Sequence, residues 1–76
     1  MNNKYFSRDD NLAEICRKYP KLISVLVNRG FGQLADKEKR ESFGKMITLK
    51  QAAEMKQINL DKLEDILIEK IESDDL

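Results

Sequence analysis

The sequence predicts an all-α fold, a small orthogonal bundle of four to five short helices. Three observations predict it: apolar residues recur at i, i+3, i+4 and i+7, helix start and stop signals punctuate the chain at short intervals, and no stretch alternates apolar with polar as a half-buried strand does. The 76 residues leave room for one core, near the size at which a core supplies only about 3–5 kcal/mol of net stability. The expected domain is the whole chain, 1–76, with its core in residues 10–72 and with 1–9 and 73–76 mobile.

Taken in order, the first element follows a polar lead in which Tyr5 and Phe6 are large enough to fold back over a core edge. Asp10 is placed to cap a short helix whose Leu12, Ile15, Cys16 and Tyr19 share one face, and Pro20 forces that helix to stop or turn. The Cys16 thiol on that face reads as a buried small hydrophobe.

Pro20 also suits the first position of the second helix, where its missing N–H is no loss. Leu22, Ile23, Val25, Leu26 and Val27 make this helix apolar round most of its circumference, the mark of a central, buried element. Gly30 ends it: a glycine at positive φ allows a Schellman closure that brings Phe31 onto Leu26.

Gly32 and Gly44 bracket a polar segment, QLADKEKRESF, in which Asp36 can cap a short helix with a solvated charged face. Thr48 and Gln51 form a capping box that opens the next helix, where Leu49, Ala52, Ala53 and Met55 follow. Ile58 closes that segment and Asn59 caps a last helix, which keeps Leu60, Leu63, Ile66, Leu67 and Ile71 to one face. Its Asp61, Glu64, Asp65, Glu69 and Glu72 fall largely elsewhere.

Composition narrows the chemistry. The chain has one cysteine and no histidine, so an internal disulfide and a Cys/His nucleophile are excluded, and no metal or cofactor is expected. The carboxylate pair Asp61 and Asp65 projects from a solvated helix face where nothing would separate its pKa values, so no enzyme activity is expected. The N-terminus carries no apolar leader segment and no run approaches a membrane span; no membrane partner is expected, and the location is read as cytoplasmic.

Net charge is zero, yet residues 1–50 hold 11 Lys and Arg against 6 Asp and Glu, and residues 51–76 hold 3 against 8. A dipole of this kind lets the two ends of a compact chain attract one another. The segment TLKQAAEMKQINLDKLEDIL has a helix-turn-helix pattern, but residues 60–72 carry five carboxylates against Lys62 and Lys70. That is the wrong sign for phosphate contacts, so no nucleic-acid partner is expected.

The chain resembles a small bacterial domain-of-unknown-function family, a branch of which is the hybrid-cluster-protein-associated disulfide domain. The residues that carry the resemblance are Tyr19-Pro20, KLISVLVNRGFGQLAD, Ile47-Thr48-Leu49 with Gln51-Ala52-Ala53, and INLDKLEDIL. The resemblance implies a helical bacterial domain with an accessory role beside redox, iron–sulfur or sensory proteins. In the disulfide branch cysteines follow the glycine that ends the second helix. Phe31, Gly32, Gln33 and Leu34 stand there in this chain, so thiol and cluster chemistry do not carry over.

The expected function is a non-catalytic accessory or protein-interaction module, binding another protein or its own copy. The alternatives are a nucleic-acid-binding helix-turn-helix-like domain and a small-molecule sensor with a pocket near Phe31. The segment from Phe31 to Arg40 is the expected contact, with Phe31 and Leu34 as apolar anchors flanked by Lys37 and Arg40. The opposing expectation is that Phe31 and Leu34 simply close the core. Tyr19, Pro20, Gly30, Thr48 and Gln51 are expected to be structural.

Overall fold

The computed structural model describes residues 4–73. Five helices follow one another as α1 (Leu12–Lys18), α2 (Leu22–Asn28), α3 (Lys37–Met46), α4 (Leu49–Met55) and α5 (Leu60–Ser73), with one 3₁₀ turn (Gly32–Ala35) between α2 and α3. Among the described residues there is no strand beyond a single antiparallel bridge, Asn11 to Thr48, so the predicted all-α bundle is what forms. The tails 1–3 and 74–76, expected to be mobile, lie outside the described residues.

That bridge joins the caps of two helices. Asn11, not Asp10, caps α1 by accepting from the Glu14 N–H at 2.7 Å. Asp10 is drawn the other way: its carboxylate accepts from the Ser7 N–H at 2.9 Å and its carbonyl from the Leu49 N–H at 3.0 Å. The Leu12 N–H donates in turn to Ile47 at 2.9 Å, so the starts of α1 and α4 satisfy each other's orphan donors. At α4 the predicted capping box is complete, with Gln51 N–H to Thr48 Oγ1 at 3.1 Å and Thr48 N–H to Gln51 Oε1 at 3.0 Å.

Pro20 sits two residues ahead of α2, not at its first position. The Leu22 N–H closes a turn onto the Tyr19 carbonyl at 2.9 Å, and Pro20 supplies the preset φ of that turn's second residue. The other end of α2 closes as expected: Gly30 has φ +106°, its N–H donates to Val27 at 3.2 Å, and the Phe31 N–H donates to Leu26 at 3.1 Å. These are the two bonds of a Schellman motif. α4 ends in the same pair of bonds, Gln57 to Glu54 and Ile58 to Ala53, with Gln57 rather than a glycine at φ +55°. Asn59 opens α5 by accepting from the Lys62 N–H at 3.0 Å.

The core is built from Leu12 and Ile15 of α1, Leu22 and Leu26 of α2, Leu34 of the 3₁₀ turn, Leu49 of α4 and Leu63 and Leu67 of α5, all fully buried. The apolar girth of α2 is not matched by burial: only Leu22 and Leu26 are enclosed, while Ile23, Val25 and Val27 are half-buried. A domain this small has too few elements to surround a central helix.

α3 runs straight through Gly44, which is no boundary. A Cβ on Gly44 would stand 2.9 Å from the Ala13 backbone nitrogen, so α1 and α3 cross in backbone contact at a position only glycine fits. The core also extends toward the N-terminus beyond the expected residue 10. Phe6 is buried, the Tyr5 and Tyr19 rings meet edge to face at 6.3 Å, and Arg8 reaches α5.

Candidate functional site

The fold brings the segment 31–40 together around two enclosed side chains. Phe31 is 3% exposed and Leu34 fully buried, so the predicted apolar anchors point inward and close the core. Arg40 is half-buried and donates from Nη1 to the Leu34 carbonyl at 2.8 Å, which locks the 3₁₀ turn to α3. Asp36 accepts from the Glu38 and Lys39 N–H groups as the α3 cap. Of Phe31, Leu34, Lys37 and Arg40, Lys37 alone is exposed. Tyr19, Pro20, Gly30, Thr48 and Gln51 all make the turn, cap and closure contacts described above.

Cys16 is buried in α1. It forms part of a 250 Å³ crevice with Ala13, Pro20, Ile23, Arg17 and Arg40. Burial pushes the thiol up from 9.0 to about 11, with Arg40 opposing weakly, so at neutral pH it is a protonated, poorly nucleophilic group. Among the described residues no group of three His, Cys, Asp or Glu side chains is placed to hold a metal ion.

The concave surfaces differ in lining. A groove of 490 Å³ between α2 and α5 has Val25 and Ile66 as its apolar part and Asn28, Arg29, Glu69, Lys70 and Ser73 around them. The hollow beside Phe31, where the alternative sensor reading would place its pocket, has a volume of 130 Å³, below the roughly 300–1,000 Å³ of small-molecule sites.

The third surface lies where α3 ends and α4 runs past it. Met46, Ile47 and Met55, with Gln51 and Glu54, line a shallow hollow of 410 Å³. Met46 is 81% and Met55 56% exposed, and they are the large apolar side chains that the described residues leave in solvent. Met55 also lines the hollow beside Phe31 together with Phe43 and Lys56.

The sequence reading placed Met55 in the apolar series of α4. At 100° per residue, however, Met55 lies roughly 110° from the centre of the Leu49, Ala52 and Ala53 face. Met46 ends a helix that docks through Gly44 and carries no fully buried apolar side chain. That mismatch of phase was readable in the sequence; that both methionines stay exposed in the folded chain was not.

No helix among the described residues is long and apolar enough to cross a membrane. Neither the curated proteins nor the solved structures hold a match to the chain. A family model does match, over residues 6–63, beginning at the buried Phe6 and running through the cap pair, both Schellman closures and the first turn of α5. By that match, over more than half of its length, the chain belongs to the family described as Domain of unknown function (DUF1858).

Proposed function

We propose that this protein is a non-catalytic accessory module of the cytoplasm that binds another protein through the face formed by the end of α3 and the outer side of α4. The observation that carries this reading is the exposure of Met46 and Met55 around a shallow apolar hollow. Methionine is unbranched and polarizable, and it suits surfaces that repack against a partner. Contiguous exposed apolar patches rimmed by polar groups mark protein or membrane contact sites and ligand-binding grooves. The resemblance to the hybrid-cluster-protein-associated disulfide domain supports an accessory role, beside a protein that carries its own chemistry. The contact face is moved from the expected residues 31–40 because Phe31 and Leu34 are enclosed.

Photo-cross-linking tests the reading in cells that express the protein natively. A photoreactive residue in place of Met46 is expected to give discrete protein adducts that Met55→Glu abolishes, whereas one in place of the exposed Asp65 on α5 gives none. Equal adducts from both positions, or adducts at position 46 that Met55→Glu leaves unchanged, would overturn it.

A further inference from the structure

We infer that Met46 and Met55 form a paired oxidation site, at which a two-electron oxidant of the peroxide class turns one patch of the surface from apolar to polar while the fold stays intact. The inference holds whatever that face contacts. Three observations carry it: where the two thioethers stand, where the thiol stands, and which side chains build the core.

Met46 is the last residue of α3 and Met55 the last of α4. They are 81% and 56% exposed and line one open hollow, so an oxidant in solvent reaches both without any opening of the bundle. A thioether has no proton to lose, and access decides how fast it reacts. A thiol reacts as its thiolate. Cys16, the one cysteine of the chain, is 2% exposed, and burial pushes its pKa up to about 11, so at neutral pH the reactive anion is both scarce and enclosed. Among the described residues the sulfur chemistry open to the folded chain is therefore that of positions 46 and 55. The core, finally, is assembled from Phe6 through Ile71 with neither methionine in it, so an oxygen added to either sulfur meets water and disturbs no packing.

The step balances with hydrogen peroxide as oxidant. A sulfur lone pair attacks one peroxide oxygen, the O–O bond breaks, and the departing hydroxide takes the proton of the transferred oxygen to leave as water. The sulfur loses an electron pair and the peroxide gains it. The product is methionine sulfoxide, which a pair of reductant thiols returns to the thioether with formation of a disulfide and water. Of the hollow's apolar side chains Met46, Ile47 and Met55, only Ile47 then stays apolar. Each sulfoxide adds a strong hydrogen-bond acceptor, so the patch changes character on oxidation and regains it on reduction.

The test treats the native full chain with hydrogen peroxide at pH 7, beside the same chain in denaturant, and follows each sulfur by peptide mass mapping. In the native chain Met46 is expected to gain oxygen at a rate within about threefold of its rate in denaturant, Met55 to follow more slowly, and Cys16 to stay unmodified until denaturant exposes it. The ¹⁵N spectrum of the oxidised chain should keep its folded dispersion, with amide shifts confined to the neighbourhood of residues 46 and 55. Retention on a hydrophobic-interaction column should fall and be restored by a thiol-dependent methionine sulfoxide reductase. The double variant Met46→Leu, Met55→Leu should keep its retention under the same treatment, which separates this pair from Met1. Protection of Met46 by tenfold or more against the denatured chain, modification of Cys16 before either methionine, or loss of the folded spectrum on oxidation would each overturn the inference. So would an equal fall in retention of the double variant.

Discussion

The Arg8 guanidinium grips the Glu64 carboxylate through two hydrogen bonds, Nε to Oε2 and Nη2 to Oε1, each 3.0 Å long. Glu64 is buried on α5, and Arg8 lies in the segment that leads into α1, so the pair ties the start of the chain to its last helix. Nη2 also reaches Asp61. The hydrogen bond to Glu64 is the chief cause that holds the Arg8 pKa above its ordinary value, and it outweighs desolvation.

Removing the cation is expected to cost more than removing the outer anion. Arg8→Ala strands a carboxylate away from water, whereas the Asp61 side chain is 76% exposed and Asp61→Asn should be nearly neutral. Glu64→Leu in the Arg8→Ala background should recover part of the lost melting temperature. A thermal double-mutant cycle reads this directly, and equal losses from Arg8→Ala and Asp61→Asn would show that Glu64 is not the anchor.

The two Schellman closures differ in the residue at the left-handed position, and that predicts opposite responses. Gly30→Ala should destabilise by about 1 kcal/mol or more through backbone conformation alone, because the new Cβ would meet only the flexible end of Lys56 at 3.6–3.8 Å. Gln57→Gly should stabilise by about 0.5 kcal/mol, since glycine removes the Cβ penalty at φ > 0. Chemical denaturation of both variants checks the pair of signs.

Gly44→Ala places a methyl group against the Ala13 backbone, with 3.3 Å to its Cα and Cβ. Backbone cannot swing aside as a side chain can, so α1 and α3 must part. The expected loss is about 1–2 kcal/mol despite alanine's better helix propensity. A melting temperature at or above that of the parent would show that the crossing yields freely.

Cys16 should resist maleimide at pH 7 and react fully in denaturant. Its pH dependence has a definite sign. In the unfolded chain the thiol titrates near 9.0 and in the folded chain at about 11, so between those values the unfolded state loses its proton first. Stability is unaffected below about pH 9 and falls as the pH rises above it, by about 2 kcal/mol at pH 11. Comparison of denaturation midpoints with Cys16→Ala across pH 7–11 isolates this slope, because the other titrating groups are common to both proteins.

Duplex DNA should not be retained at physiological salt. α5, the second helix of the α4–turn–α5 pair, carries five carboxylates against two lysines, and a phosphate backbone repels that surface. Fluorescence anisotropy with a labelled duplex checks this. Micromolar binding that weakens steeply with salt would reverse the expectation.

The helical class, the capping box at Thr48 and Gln51, the glycine closure at Gly30 and the apolar anchors of α5 were legible in the sequence, because each rests on groups within a few residues of one another. Caps and Schellman bonds join i to i+3 or i+5, so local chemistry decides them. What only the tertiary structure decided rests on long-range neighbours. Glu64 looks solvated on its own helix until Arg8, far off in the chain, covers it. Gly44 looks like a helix boundary until Ala13 presses against it. Phe31 and Leu34 can be read as surface anchors or as core until the bundle closes over them, while Met46 and Met55 are left exposed. Burial belongs to the arrangement of the helices, and no single helix contains that information.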